Sequence, residues 1–239
     1  MESNKIELVR VAKLLSQRGV CSRREAERRI ADGRVMVNRE IIIDTSSPVN
    51  PEKDEILVDG LPIPSVKNHI YFAYHKPAGV LSSFKKDKEK GYTLSDVLKV
   101  DRFLFPAGRL DRDSIGLLIL TSDGEWANKV MHPRYDKSKE YLVKFHKQRP
   151  TPAYRKMKDA SFEEKGKKFK AKEVTVAGSY VRIVLAEGRN RQIHRLAESV
   201  GLKVHELIRI RVGEVELGNL KEGKYRKLTE SEIESLATE

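Results

Sequence analysis

Residues 116–122, GLLILTS, are a short apolar run entered directly from a charged loop, GRLDRDS at 108–114. The run falls far short of the roughly 20 apolar residues of a membrane span. It reads instead as a strand buried on both faces of a sheet. Such a strand needs neighbours on either side and cover above and below, and the rest of the chain supplies them. IYFAY (70–74) alternates Ile70, Phe72 and Tyr74 before Lys76-Pro77-Ala78-Gly79 breaks it, and EYLVKF (140–145), VTVA (174–177) and YVRIVLA (180–186) follow. IRIRVGEVEL (208–217) adds a further pair of strands. Helices fall between them: SDGEWANKVM opens on a capping box of Ser122 and Glu125, NRQIHRLAESVG sets Ile193, Leu196, Ala197 and Val200 on one face, and TESEIESL repeats the box with Thr229 and Glu232. Many strands with few, separated helices predict an α+β fold whose sheet is mixed and mainly antiparallel, with flanking helices.

The first 65 residues differ in character. Residues 8–18 place Leu8, Val11, Leu14 and Leu15 on one helical face, and Gly19 stops the helix. Ser22-Arg23-Arg24-Glu25 is a capping box opening a second helix that ends at Gly33, and RVMVNREIII then reads as a hairpin turning at Asn38-Arg39. Residues 44–66 carry four of the nine prolines; within them ILVDG closes the module as a strand, and Pro62-Ile63-Pro64-Ser65 reads as a linker. The expected boundaries are therefore 1–65 for a small module of two helices plus short strands, and 66–239 for the sheet domain. The Lys-rich patches at 85–90 and 165–172 read as mobile loops.

Charge narrows the function. The chain carries 47 Lys plus Arg against 35 Asp plus Glu, a net +12 that points towards a polyanion, nucleic acid first. Residues 10–39 hold nine bases (Arg10, Lys13, Arg18, Arg23, Arg24, Arg28, Arg29, Arg34 and Arg39) and three acids, a compact surface for phosphates. On residues alone it also fits a protein-docking face. The single cysteine, Cys21, rules out an internal disulfide and suggests a cytoplasmic setting. In GRLDRDS, Asp111 lies between Arg109 and Arg112, which suits a carboxylate held ionised by a guanidinium; a salt-bridged turn suits the same residues. Asp111, Asp113 and Asp123 as magnesium ligands are the rival, but the interspersed arginines compete for those carboxylates. Neither GxGxxG nor GxxxxGK[ST] occurs.

The stretch VRVAKLLSQRGVCSRREAERRIADGRVMVN resembles the S4 RNA-binding domain. That resemblance implies docking on structured RNA through Arg23, Arg24, Arg28 and Arg34, with Arg10 and Lys13 alongside. GRLDRDSIGLLILTSDG resembles the signature of ribosomal RNA pseudouridine synthases of the RsuA type, which couple an S4 domain to a catalytic domain. HKPAGVLSS (75–83), KEYLVKF (139–145), EGRNRQIHRL (187–196) and ELIRIRVGEVELGNLKEGKYRKLTESEI (206–233) match in the same order. The resemblance implies isomerisation of uridine to pseudouridine in ribosomal RNA or a pre-ribosomal subunit, a reaction needing no cofactor and no metal. No heptad or exposed apolar stripe in the sequence argues for a dimer, which leaves a monomer as the default. It implies Asp111 as the catalytic aspartate, Arg109 in handling the extruded nucleotide, and Tyr141 stacking on the base. The partner of Asp111 falls in GRNRQIH, on Arg191 in preference to Arg189. His194 stands where arginine or lysine is usual. A non-catalytic ribosome-assembly factor on the same scaffold is the alternative.

Overall fold

The computed structural model describes residues 8–65, 69–86, 91–100, 103–135, 137–146 and 151–238. They group into two compact units. One takes residues from 1–69 with 100–104 and 122–124, and the other takes 70–99, 105–121 and 125–239.

In the first unit, helix Val11–Gln17 buries Val11, Ala12, Leu14 and Leu15. It starts later than its apolar spacing predicts. Val9–Arg10 pairs as a strand with Pro48–Val49, which leaves Leu8 exposed outside the helix. Sheet pairing satisfies those backbone groups, so the apolar stripe shortens by a turn. Ser22 caps the second helix, Arg23–Ala31, by accepting a hydrogen bond from the Glu25 amide. The hairpin Val35–Val37 and Glu40–Ile42 turns at Asn38-Arg39, where both residues have positive φ, the backbone that matches strand twist in a two-residue turn. Ile56–Val58 extends this sheet. Ala26, Ile30, Val35, Val37, Ile56 and Val58 complete a core with the first helix.

The second unit is built on one twisted sheet. Its strands run in the order Glu173–Ala177, Tyr180–Leu185, Lys139–Phe145, Val204–Val212, Ile115–Thr121, Tyr71–Lys76 and Tyr225–Lys227. Neighbours are antiparallel except Val204–Val212 and Ile115–Thr121, which run parallel. The chain is α+β with a mixed, mainly antiparallel sheet, as its pattern predicts. The GLLIL run lies in the interior, Leu117 to Leu120 being almost wholly buried. On one side Leu117, Ile119 and Ala73 pack against Trp126, Ala127 and Val130 of helix Gly124–Met131 and Leu236 of helix Glu230–Ala237. The Trp126 indole donates to the Ile233 carbonyl at 2.9 Å and ties that helix down. Thr229 and Glu232 form the expected capping box.

Phe72, Ala73 and Tyr74 are all buried, so the strand Tyr71–Lys76 is covered on both faces rather than alternating. The Lys-rich stretch at 165–172 is not a loop throughout. Ser161–Glu164 and Lys167–Lys170 pair as a hairpin, because Phe162 and Phe169 meet across it. Residues 87–90 of the other Lys-rich patch lie outside the described residues. No helix among the described residues is long and apolar enough to cross a membrane.

Candidate active site

A cavity of about 370 Å3 gathers residues from five separate sequence segments, one of them Val130 and Met131 of helix Gly124–Met131. The loop before Ile115–Thr121 brings Arg109 and Asp111, and the strand Lys139–Phe145 brings Lys139 and Tyr141. Residues 188–194 bring Arg189, Arg191, Gln192 and His194, and the strand Val204–Val212 brings Leu207 and Arg209. All five catalytic candidates from the sequence therefore line one pocket.

The backbone around Asp111 is fixed from both sides. Ser82 Oγ donates to the Leu110 carbonyl at 2.8 Å and accepts from the Leu110 amide at 3.1 Å. The Gly79 amide donates to the Arg112 carbonyl. Lys76, fully buried, donates from Nζ to the carbonyls of Pro77, Arg112 and Ser114 at 2.8–3.1 Å. Burial pushes its pKa down to about 8, opposed by the nearby Asp113 and Asp111 and aided by Arg209. The HKPAGVLSS segment is thus a clamp on the aspartate loop (a role its sequence alone does not reveal).

Arg209 is the residue that sequence reading missed. It is 2% exposed, and its guanidinium donates to the carbonyls of Leu117 at 2.7 Å and Arg109 at 3.4 Å. A backbone contact seats it there. Gly116 has φ +108°, and a Cβ on it would lie 2.3 Å from the Arg209 carbonyl oxygen, so only glycine allows the two parallel strands to approach so closely. On the other edge, a one-residue slip in pairing sets Tyr141 opposite Arg209 and Glu140 opposite Arg211. Tyr141 and Arg209 line the pocket, while buried Glu140 is held by Arg182 and Arg211, which keep its carboxyl below the usual range.

Of the arginines of GRNRQIH, Arg189 is engaged elsewhere. Arg189 pairs with Glu187 at 3.3 Å and lies over the Phe169 ring. Arg191 is exposed, adopts a left-handed backbone at φ 49°, and precedes helix Gln192–Ser199. The Gln192 side-chain oxygen accepts from the Arg189 amide at 2.9 Å. His194 is held below the ordinary imidazole range, first by burial and then by Arg191, with Asp111, Glu198 and Asp113 opposing. Three buried polar atoms on pocket residues have no partner: Arg209 Nη2, Gln192 Nε2 and His194 Nδ1. Buried polar atoms left unpaired are costly, and all three of these belong to residues that line the one cavity. Among the described residues no three His, Cys, Asp or Glu side chains group as metal ligands do.

In the first unit Arg23 and Arg24 project from the start of the second helix and are exposed, as is Arg10, while Lys13 is half-buried. Arg34 makes two hydrogen bonds to Asp59, at 2.6 and 2.8 Å, and Arg28 pairs with Glu25. The last two are partly neutralised within the module.

Residues 70–199 match the family described as RNA pseudouridylate synthase, and residues 9–56 match the S4 domain. The chain belongs to the RNA pseudouridylate synthase family. It is 37% identical over 233 residues to an uncharacterised RNA pseudouridine synthase of Aquifex aeolicus, covering 95% of this chain and 93% of that one. It is 35% identical to the ribosomal large subunit pseudouridine synthase B of Bacillus subtilis, covering 95% of each. The crystal structure of a pseudouridylate synthase superimposes with a TM-score of 0.66 at 29% identity, over 95% of this chain and 99% of that one. The protein is an RNA pseudouridine synthase, an isomerase, with an S4 domain at its N-terminus. Its pocket lies within the segment that the synthase family matches, apart from Leu207, Arg209 and Val212 beyond residue 199.

Proposed function

We propose that this synthase isomerises a uridine of ribosomal RNA, with Asp111 as the acting carboxylate on a nucleotide turned out of its stack. The reaction breaks the N1–C1′ bond, turns the uracil and joins C5 to C1′; C5 loses its proton and N1 gains one. Nothing enters or leaves overall and no oxidation state changes, so the reaction needs no co-substrate or redox cofactor; we take the enzyme to be a cytoplasmic monomer that works without metal. The observation that carries the reading is the convergence of three unpaired buried polar atoms, on Arg209, Gln192 and His194, at the cavity that also holds Asp111 and Tyr141.

Each group has a distinct task. Asp111 must stay anionic to act, and buried Arg209 supplies a fixed positive charge beneath its loop. We assign that supporting role to Arg209, with Arg191 and Arg109 at the pocket rim placed to meet the phosphates and ribose of the extruded nucleotide. Tyr141 presents its ring to the uracil, and stacking of roughly 1–3 kcal/mol offsets much of the few kcal/mol that unstacking costs. The names of the Bacillus subtilis relative above and of a dual-specificity RNA pseudouridine synthase, RluF, of Escherichia coli, 36% identical over 94% of this chain, support ribosomal RNA as the substrate.

Pseudouridine formation in transcribed ribosomal RNA by the purified protein tests the reading. Wild type is expected to turn over in chelator, and Asp111→Asn to be inactive with unchanged folding. Equal turnover by the two proteins would remove Asp111 from the mechanism.

A further inference from the structure

The hairpin of residues 161–170 joins two features that its sequence hides. Its strands, Ser161–Glu164 and Lys167–Lys170, turn at Lys165-Gly166, both with positive φ. Phe162 and Phe169 stand opposite each other, ring centroids 5.3 Å apart and stacked. Each ring carries a guanidinium, one from a residue that lines the pocket and one from just after it. Arg189 lies 4.7 Å over Phe169, and Arg195 lies 3.8 Å over Phe162 while pairing with Glu164 at 3.3 Å. A two-stranded hairpin is marginal alone, so this docking accounts for its order.

The remainder of the hairpin is positive. Lys165 and Lys167 sit at its tip, Lys168 and Lys170 alternate with Phe169 onto the opposite face, and all four are exposed. Glu164 is engaged by Arg195, which leaves Glu163 as the exposed acid beside four lysines. A generally soluble surface would mix its charges. Here one sign is concentrated on an element latched to Arg189, which lines the active pocket, and to Arg195, the residue after its lining segment.

We propose that this hairpin is a second RNA-binding element. Its lysines hold the phosphate backbone flanking the target nucleotide, and its aromatic face positions Arg189 and Arg195. The proposal rests on RNA being the substrate. Phosphate contacts of this kind position RNA without reading its sequence, so the hairpin adds affinity local to the pocket. Phe162 and Phe169 are positioning residues, acting through the arginines they carry.

The test uses the full chain and transcribed ribosomal RNA, in binding titrations across salt and in steady-state turnover. Charge reversal in Lys165→Glu/Lys167→Glu/Lys168→Glu is expected to weaken binding at least tenfold. It should also flatten the log Kd against log salt slope by about two to three, with the loss in kcat/KM carried by KM. Phe169→Leu is expected to lower kcat severalfold, and Phe169→Tyr, which keeps the ring, to restore it. Unchanged affinity and slope in the lysine variant would overturn the binding role. Equal kcat in the Leu and Tyr variants would overturn the positioning role. Should wild type bind this RNA but form no pseudouridine in it, the substrate assignment fails, while the salt titrations still decide the hairpin.

Discussion

The two units keep their positive charge in opposite ways. The N-terminal unit leaves Arg23 and Arg24 in solvent and tempers Arg28 and Arg34 with surface carboxylates. The catalytic unit buries Lys76 and Arg209 and satisfies them with backbone carbonyls. Exposed charges are screened within about 8 Å at physiological salt and gain little from any one pairing. Buried charges are screened much less, and removing one strands its acceptors. The first arrangement suits affinity for a polyanion, which many small contacts supply. The second suits chemistry, which needs one field held in place. If that division is right, substitutions at these exposed arginines and at these buried cations must fail differently: in salt-dependent binding for the first, in turnover or stability for the second.

Arg209 should give the largest effect. Arg209→Met removes the buried charge held on the Leu117 and Arg109 carbonyls, and loss of one preorganised electrostatic group typically costs about 100- to 1000-fold in kcat. Arg209→Lys, which keeps charge without the planar fork, should recover only part of it. RNA affinity and its salt slope should barely move in either variant. A drop in affinity that matches the drop in kcat would break the contrast between the units.

Lys76→Met comes next. It removes the Lys76 donor from the Pro77 and Ser114 carbonyls and one of two donors from the Arg112 carbonyl, and a loss of roughly 2–4 kcal/mol in unfolding free energy is expected. Urea titration measures it directly. The wild-type amine has a depressed pKa of about 8, against 10.5 for a free one. The folded state therefore binds fewer protons than the unfolded chain between those values, and the contribution of this group to stability rises with pH across that window. Lys76→Met should lose that rise. A variant as stable as wild type would show that the clamp on the aspartate loop is not structural.

In the N-terminal unit, Arg23→Glu/Arg24→Glu should weaken RNA binding about tenfold at moderate salt and reduce the salt slope by about one to two. Melting temperature should hold, since both side chains are exposed. Loss of turnover at saturating RNA would mean that this unit does more than supply affinity.

The same contrast explains what the sequence revealed. The buried strand was legible because GLLIL is apolar throughout, and the first-unit hairpin because Asn38-Arg39 suits a tight turn. Asp111 and Tyr141, which line the pocket, stand in short motifs whose residues are contiguous. Arg209 was not legible, since its burial follows from Gly116, which lies 93 positions earlier and meets it only when two parallel strands touch. Its neighbour Arg211, two residues on, has the same charge and spacing but pairs with Glu140, and only the slip in strand pairing separates their roles. The 161–170 hairpin was hidden in a similar way. Its lysines dominate the composition, while the two phenylalanines that order it are seven residues apart and act through arginines further along. Leu8 shows the converse: helical spacing continued past the point where strand pairing took over.

His194 gives the smallest effect and the sharpest test of how far burial governs charge at the pocket. At this position a permanently charged side chain would behave like the arginines of the N-terminal unit, but a partly buried imidazole does not. Burial and Arg191 both favour its neutral form, and Asp111, Asp113 and Glu198 only partly oppose them. The folded pKa thus lies below the ordinary 6.5. Between the two values the unfolded chain binds more protons than the folded one, so stability is complete above about 6.5 and falls as pH drops through the folded value. His194→Gln, which keeps a hydrogen-bonding group that does not titrate, should flatten the urea midpoint between pH 5 and 6.5 while leaving it unchanged at pH 8. If wild type and variant track each other across that range, His194 titrates as a surface group, and Nδ1 is open to water rather than reserved for RNA.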